Sequence, residues 1–141
     1  MFKIVTSSED ILKVHIVRGI VFIHGQNCKY DEEIDSFESS SIHILGEIDG
    51  EPIAAARLRF VDSYAKFERI AVREEFQRKG IGQKLINYME QIALTNGYNL
   101  FAMHAQAHLL EFYKNLGYIR EGELFIEADI EHYLMKKSIN R

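Results

Sequence analysis

The stretch "REEFQRKGIGQK", residues 73–84, joins a strand-like run to a helical pattern and decides how the rest of the chain is interpreted. The run before it, "AKFERIAV" (65–72), has the composition of a strand, and from Gly80 onward apolar residues recur every three or four positions, as in an amphipathic helix. A strand, a short turn and a helix start gather unpaired backbone N–H groups and the positive end of a helix dipole at one point. Gly80 and Gly82 leave that point free of Cβ atoms, so the stretch predicts a binding site for an anion such as a phosphate.

Two common phosphate motifs do not fit this turn. A Walker loop needs a hydroxyl residue after its lysine to hold magnesium, and no such residue follows here. A dinucleotide-binding turn needs a third glycine where Leu85 stands, and an acidic residue at the end of the next strand, where His104 and Ala105 stand. A glycine pair that serves only close packing stays open as an alternative.

Composition predicts a single domain over residues 1–141. Apolar residues make up 47% and charged residues 27% of the chain, which is near the average for globular proteins. The formal net charge of -4 argues against a nucleic-acid ligand, and no long uncharged apolar run indicates a membrane segment. Cys28 is the only cysteine and the N-terminus lacks the apolar core of a signal peptide, so we expect a cytoplasmic protein.

The order of elements indicates an α/β (α+β) fold with a mixed sheet. Asp49-Gly50 is a strong signal for a hairpin turn, since tight turns need positive φ angles, and it predicts the start of an antiparallel meander. Gly117 is expected to cap the last helix. The predicted elements are a strand near 2–6, a helix from 7 or 8 to about 23, strands at 41–49, 51–62 and 65–72, a helix from 80 to 96, a strand at 99–105, a helix at 108–116 and two strands within 118–138.

Charge is distributed unevenly along the chain. Residues 31–51 contain eight acidic residues and no Lys or Arg, whereas residues 66–84 contain six basic and three acidic residues. These segments are either two solvated surfaces or a pair of facing subsites for a cationic and an anionic ligand.

The glycine turn and its context resemble the GNAT superfamily of acetyl-CoA-dependent N-acyltransferases. Gln77, Gly80 and Gly82 form its Gln-x-x-Gly-x-Gly motif, and "ERIAV", "IGQKLINYMEQIA", "LFAMHA" and "FYKNLGY" follow the family's order and spacing. The pieces "GQN", "EEIDSFE", "AAARLR", "HAQ" and "IEHYLM" are similar to the ElaA-like subgroup of small bacterial acetyltransferases. The resemblance implies the GNAT fold, a mostly antiparallel mixed sheet with two splayed central parallel strands and flanking helices.

The same resemblance implies a site for acetyl-CoA. The pyrophosphate would lie on the turn, and the pantetheine arm would lie between the splayed strands and pair with the edge of the first one. A backbone N–H near the end of that strand would polarise the thioester carbonyl. The implied cofactor-binding residues are Ile70, Ala71, Val72, Gln77, Arg78, Lys79, Gly80, Ile81 and Gly82.

Transfer of an acetyl group to an amine needs a neutral amine and a leaving thiolate that can be protonated. Glu68 is a candidate base, because strand alternation would place its side chain on the same face as Ile70 and Val72; a salt-bridged strand carboxylate is the alternative. Tyr113, in "FYKNLGY", stands where the family commonly has a tyrosine that donates to the departing sulfur. Its alternative is a packing role between the helix and the sheet.

Other residues are candidates for the acceptor site or for a metal site. Asp35, His43, His104 and His132 match positions in the subgroup and either line an acceptor pocket or fix local structure. No His-Glu-x-x-His pattern or similar spacing is present, so we expect no metal. Cys28 is best explained as a buried thiol rather than as a nucleophile.

The sequence therefore predicts an N-acetyltransferase that moves an acetyl group directly from acetyl-CoA to a primary amine in a ternary complex, as a monomer or a homodimer. The main alternative is a module that senses acyl-CoA without turnover, because the glycine turn supplies affinity whether or not chemistry follows.

Overall fold

The computed structural model describes residues 1–140 and contains one seven-stranded mixed sheet with helices on both faces. The strand order is β1-β2-β3-β4-β5-β7-β6, and only β4 and β5 pair in parallel. The strands are β1 (Phe2–Ile4), β2 (Ile42–Ile48), β3 (Glu51–Val61), β4 (Tyr64–Val72), β5 (Leu100–Gln106), β6 (Ile119–Glu127) and β7 (Ile130–Ser138). The helices are α1 (Ser8–Arg18), α2 (Tyr30–Glu33), α3 (Ile81–Thr95) and α4 (Leu110–Asn115). The predicted order of elements and the mixed α/β fold are confirmed.

The antiparallel meander of β2, β3 and β4 is built on two tight turns with left-handed residues. Asp49 and Gly50 have φ angles of 52° and 81°, and Asp62 in the second turn has a φ angle of 55°. Aspartate and glycine tolerate this region better than other residues, which explains why these positions begin the turns. The hairpin predicted at Asp49-Gly50 is present.

Helix α1 covers one face of the meander. Its N-cap is Ser7, whose hydroxyl accepts a hydrogen bond of 3.1 Å from the backbone N–H of Asp10. Val14 and Val17 are fully buried against apolar residues of β2, β3 and β4. The helix continues as a π-helical segment, Gly19–His24, so the helical region ends about where the sequence predicts.

Helix α3 covers the opposite face. Ile81, Leu85 and Met89 lie on its apolar side and pack with Phe67 and Phe101 of the central strands, whose rings are stacked at 5.3 Å. These side chains are almost completely buried, so this face holds the larger of the two apolar cores. The glycine turn at the start of α3 is thereby fixed next to the end of β4.

The last strand lies inside the sheet rather than at its edge. β7 pairs antiparallel with β5 on one side and with β6 on the other, so β6 forms the edge of the sheet. Helix α4 connects β5 to β6 and ends at Asn115, with Leu116 as its C-cap; Gly117 follows with a φ angle of 95°, so the predicted glycine lies one residue beyond the cap. The hairpin of β6 and β7 thus stands beside β5, where the candidate site lies. Within residues 1–140 no helix is long and apolar enough to cross a membrane.

Candidate active site

The two parallel strands at the centre of the sheet pair over only three residues. Ala65, Lys66 and Phe67 of β4 face Phe101, Ala102 and Met103 of β5, and within the described chain the pairing stops there. From residue 68 to residue 72, β4 is paired only with β3, so its other edge is left with unpaired backbone groups. We call this opening between residues 68–72 and 104–106 the fork. An extended ligand that carries amides can pair with such an edge as an additional strand does.

A β-bulge at Arg69 shapes the fork. Arg69 has a φ angle of 52°, which is unusual for a residue other than glycine, and the register with β3 shifts by one residue at this point. Because of the extra residue, Phe67 packs into the core on the α3 side, whereas Ala71 packs into the core on the α1 side. Glu68 therefore lies on the face opposite to Ile70 and Val72, both of which contact the α3-side core. The expectation that all three share one face was wrong.

The glycine turn lies at the open end of the fork. Arg78 and Gly80 have φ angles of 61° and 79°, and Gly80 is the N-cap of α3. The side chain of Gln77 donates a 2.9 Å hydrogen bond to the carbonyl of Val72, which ties the turn to the end of β4. In the described chain, the backbone N–H groups of residues 78–80 make no backbone hydrogen bond, and those of the first helical turn have no partner inside the helix. The turn thus offers several N–H donors at a helix N-terminus, as an anion requires.

Helix α4 packs against the start of α3 through Phe112, and Tyr113 follows Phe112 in the same helix. A Cβ atom on Gly82 would lie 3.4 Å from the ring of Phe112, so the glycine also permits the close approach of α4. The neighbouring Tyr113 is 4% exposed, and burial raises the pKa of its hydroxyl. The phenol therefore stays protonated near neutral pH, and it forms no side-chain hydrogen bond with any other residue of the described chain. This is the state in which it can donate a proton or a hydrogen bond.

Glu68 lies within a cluster of four arginines and four carboxylates on the α1 side of the sheet. Its carboxylate accepts hydrogen bonds of 2.7 Å and 3.1 Å from Arg59 and Arg57, and the ammonium of Lys66 lies 3.5 Å away. Burial alone would raise the pKa of Glu68, but the hydrogen bond from Arg59 and the positive charges of Arg57 and Arg59 outweigh it and lower that pKa. Of its two open interpretations, these contacts favour the salt-bridged carboxylate. The cluster consists of Arg18, Arg57, Arg59, Arg69, Glu33, Asp35, Glu38 and Glu68.

The acidic segment 31–51 is largely neutralised by this cluster, by nearby lysines and by Arg73. Five of its eight carboxylates form ion pairs with basic residues, namely Glu33, Asp35, Glu38, Glu47 and Glu51. The segment does not present eight free charges to a ligand. Three of these acids, Glu33, Asp35 and Glu38, fix the loop between α1 and β2 onto α1 and the sheet.

The structure separates the four predicted acceptor residues into two groups. Asp35 forms a bidentate pair with Arg57 at 2.7 Å and 2.9 Å, and His43 is buried with Nε2 2.6 Å from the carbonyl of Glu38. Both therefore hold the loop before β2. His104 and His132 lie elsewhere, on the strands beyond the fork.

His104 and His132 come together through a residue that sequence reasoning missed. Nδ1 of His104 lies 3.0 Å from Oε1 of Glu127, and Nε2 of His132 lies 3.9 Å from Oε2 of the same carboxylate. The ring of Phe125 contacts both imidazoles. The hydrogen bond from His104 lowers the pKa of Glu127, against the opposing effect of burial. Nothing local in the sequence marks Glu127, because the contact depends on β7 lying between β5 and β6.

Comparison with known proteins identifies the family. The family model described as "Acetyltransferase (GNAT) family" matches residues 17–118, which is most of the chain. The chain belongs to the GNAT acetyltransferase family. It is similar to the uncharacterized N-acetyltransferase YjcF of Bacillus subtilis, with 36% identity over 97% of this chain and 99% of the relative. It is also similar to ElaA of Escherichia coli, with 30% identity over 87% of this chain and 84% of the relative.

Solved structures agree with this assignment. The crystal structure of Escherichia coli ElaA superposes with a TM-score of 0.86 at 26% identity, over 98% of this chain and 99% of that one. An aminoglycoside 6'-N-acetyltransferase in complex with coenzyme A superposes with a TM-score of 0.79 over 100% of this chain and 98% of that one; at 15% identity, this likeness shows the fold alone. The predicted GNAT fold and the ElaA-like resemblance are confirmed.

Proposed function

We propose that this GNAT enzyme transfers an acetyl group from acetyl-CoA directly to a primary amine in a ternary complex. The observation that carries the proposal is the fork between β4 and β5, with the glycine turn at its open end. The fork offers an unpaired strand edge to the amides of a pantetheine arm, and the turn offers N–H donors to a pyrophosphate. Both ends of the donor molecule are thus matched along one continuous path.

In this proposal the backbone of the turn holds the pyrophosphate, and the side chains of Arg78 and Lys79 add positive charge. Gln77 acts through its hydrogen bond to Val72, which fixes the turn relative to the strand. The edge formed by Ile70, Ala71 and Val72 pairs with the pantetheine arm. Ile81 and Gly82 complete the ring of N–H donors in the first turn of α3.

Tyr113 is proposed as the acid that protonates the leaving thiolate. Its helix packs on the glycine turn, and its hydroxyl is held in the protonated state by burial. Glu68 is proposed to hold Arg57 and Arg59 at the fork rather than to take a proton directly, because both arginines stabilise its charged form.

We also propose which residues surround the acceptor, and where and in what oligomeric state the enzyme acts. His104 and His132 are placed at the acceptor side of the fork, and Asp35 and His43 contribute by fixing the loop that borders it. We propose that the chain folds as one domain, acts in the cytoplasm and works as a monomer or homodimer without a metal.

A turnover screen tests the proposal. Purified enzyme and acetyl-CoA are mixed with polyamines, amino acids, aminoglycosides and peptides, and the release of free thiol is measured together with the mass of the product. We expect thiol release that depends on the amine, and a product that carries one acetyl group. Tight binding of acetyl-CoA without turnover of any amine would instead favour a sensor of acyl-CoA.

A further inference from the structure

His104 occupies the first position of β5 beyond its pairing with β4. The last parallel pair joins Phe67 to Met103, so His104 lies at the closed end of the fork. Its neighbours Met103 and Ala105 both pack into the α3-side core, and strand alternation therefore sends the His104 side chain to the other face of the sheet. About a third of that side chain, 33%, is exposed to solvent. The imidazole is thus accessible at the point where a donor that follows the fork from the glycine turn would end.

The contact with Glu127 fixes the state of this imidazole. A carboxylate only accepts hydrogen bonds, so the 3.0 Å contact requires the proton of the neutral ring to be on Nδ1. The lone pair is then on Nε2, which has no partner among residues 1–140. A carboxylate behind a histidine also stabilises the imidazolium that forms when Nε2 takes a proton. The arrangement is that of an oriented general base.

The other titratable groups near the fork are less suited to this task. Glu68 is held by Arg57 and Arg59, which stabilise its charged form. His132 has Nδ1 2.7 Å from the carbonyl of Ile130, and only 8% of its side chain is exposed. The charged and titratable groups that act on Glu127 besides His104 are Lys66 of β4 and His132 of β7.

We propose that His104 is the catalytic base that takes the proton from the acceptor amine, and that Glu127 is the positioning residue behind it. This inference rests on the proposed N-acetyltransferase function. Nε2 of His104 first takes the proton that makes the bound amine an ammonium ion and passes it to solvent. The neutral nitrogen then attacks the thioester carbonyl and the C–N bond forms, while Nε2 accepts a second proton from that nitrogen. The C–S bond then breaks, and the thiolate takes a proton from Tyr113. Solvent removes the proton from His104 and restores that of Tyr113, so the products are the amide and free coenzyme A.

This assignment places the base and the acid on opposite faces of the sheet. His104 lies on the face away from the α3-side core, whereas Tyr113 is part of that core. A thioester held in the fork passes between the two faces, with the acceptor amine on one side and the leaving sulfur near the other. The acceptor class that needs such a base is an alkyl amine, which is an ammonium ion at neutral pH and must lose a proton to react.

Kinetics with two probe amines test the role of His104. Spermidine is protonated at neutral pH, whereas hydroxylamine is already neutral and depends less on a base. We expect His104→Gln to lower kcat/KM for spermidine about a hundredfold, and for hydroxylamine less than about tenfold. His24→Gln, at an exposed histidine outside β4 and β5, serves as the matched control and should match the wild type. Equal losses for both amines, or full activity of His104→Gln with spermidine, would overturn the assignment.

Glu127→Gln tests the positioning role of Glu127. It also provides a second test of the proposal if His104→Gln does not fold. We expect kcat/KM for spermidine to fall about tenfold, with the Kd of coenzyme A unchanged, since no contact with the glycine turn is lost. Glu123→Gln, another exposed β6 carboxylate, is the control. Nitrogen-15 NMR of the imidazoles should show the Nδ1–H form of His104 in the wild type and a loss of that preference in Glu127→Ala, which removes the acceptor. An unchanged tautomer in the variant would contradict the role of Glu127.

The same NMR spectra separate failure of this inference from failure of the proposed function. Addition of acetyl-CoA should move the His104 signal and leave the His24 signal in place. If acetyl-CoA binds and spermidine is acetylated equally well by His104→Gln, only the assignment of the base is wrong. If acetyl-CoA does not bind at all, the proposed function itself fails. If it binds but leaves the His104 signal unmoved, His104 does not lie beside the donor, and the assignment falls whether or not an amine is turned over.

Discussion

Replacement of Gly80 by alanine is the most informative perturbation of the glycine turn. Gly80 has a φ angle of 79°, and a Cβ atom built there meets no described atom within 4 Å. The cost to the unliganded protein is therefore backbone strain alone, about 1 kcal/mol, which corresponds to a fall in Tm of about 3 °C for a chain of this size. No loss of packing adds to this value.

The effect on coenzyme A should be larger than the effect on stability. The added methyl group projects from the turn where we place the pyrophosphate, and it keeps a phosphate oxygen from a backbone N–H. Loss of one hydrogen bond to a charged group is worth about 2 kcal/mol, or roughly a 30-fold increase in Kd. Pantetheine has no pyrophosphate, so its weaker binding should be unchanged by the substitution.

Gly50→Ala is a matched control for this experiment. Gly50 lies in the turn between β2 and β3 with a φ angle of 81°, and a Cβ atom there also meets nothing within 4 Å. Both variants should lose the same stability in thermal unfolding, but only Gly80→Ala should weaken coenzyme A in isothermal titration calorimetry. If both variants bind coenzyme A equally well, or if Gly80→Ala weakens pantetheine as much as coenzyme A, the turn does not hold the pyrophosphate.

Three further predictions follow from the site and its surroundings. Tyr113→Phe should lower kcat about tenfold or more without a change in the Kd of coenzyme A, whereas the control Tyr98→Phe should leave kcat unchanged. If Tyr113→Phe and the wild type have equal kcat values in a thiol-release assay, Tyr113 is not the acid. Arg57→Ala should lower the free energy of unfolding in urea by about 3–5 kcal/mol, because it leaves buried carboxylates unpaired, while Arg120→Ala should cost less than about 0.5 kcal/mol. The hydrogen bond from Arg57 lowers the pKa of Asp35 to about 2, so the wild type should lose about 1 kcal/mol of stability as the pH falls from 4 to 2. Asp35→Asn should not show this loss. If urea titrations give the same change in the free energy of unfolding with pH for both proteins, the prediction is contradicted.

The parts of the fold that depend on local pattern could be predicted from the sequence. The start of α3 at the glycine turn follows from apolar spacing and from two glycines, and the β2–β3 hairpin follows from Asp49-Gly50. Each signal lies within a few residues of the element that it specifies. The prediction of strand–turn–helix at residues 65–95 was therefore correct in outline.

The features that sequence reasoning missed depend on long-range pairing. The bulge at Arg69 reverses the faces of β4, but an arginine carries no signal for a positive φ angle, and the shift is visible only in the register with β3. Asp35 of the acidic segment pairs with arginines that lie 22 and 34 residues away, on β3 and β4. Glu127 reaches His104 only because β7 inserts between β5 and β6.

The pairing of charges also changes how the acceptor should be recognised. With most carboxylates of residues 31–51 bound to basic side chains, long-range attraction of a cation by this segment is weak. Recognition of the amine then depends on the short-range groups at the fork. We therefore expect only a weak dependence of kcat/KM on salt for a cationic acceptor.

We propose above that the chain moves an acetyl group from acetyl-CoA to an amine. The direct measurement follows free thiol and acetylated product in the same reaction, across the amine panel, with enzyme and with buffer alone. At least one amine should yield thiol and acetylated product in equal amounts, at a rate proportional to the enzyme concentration. Binding of acetyl-CoA with no amine-dependent thiol release above the buffer rate would contradict it.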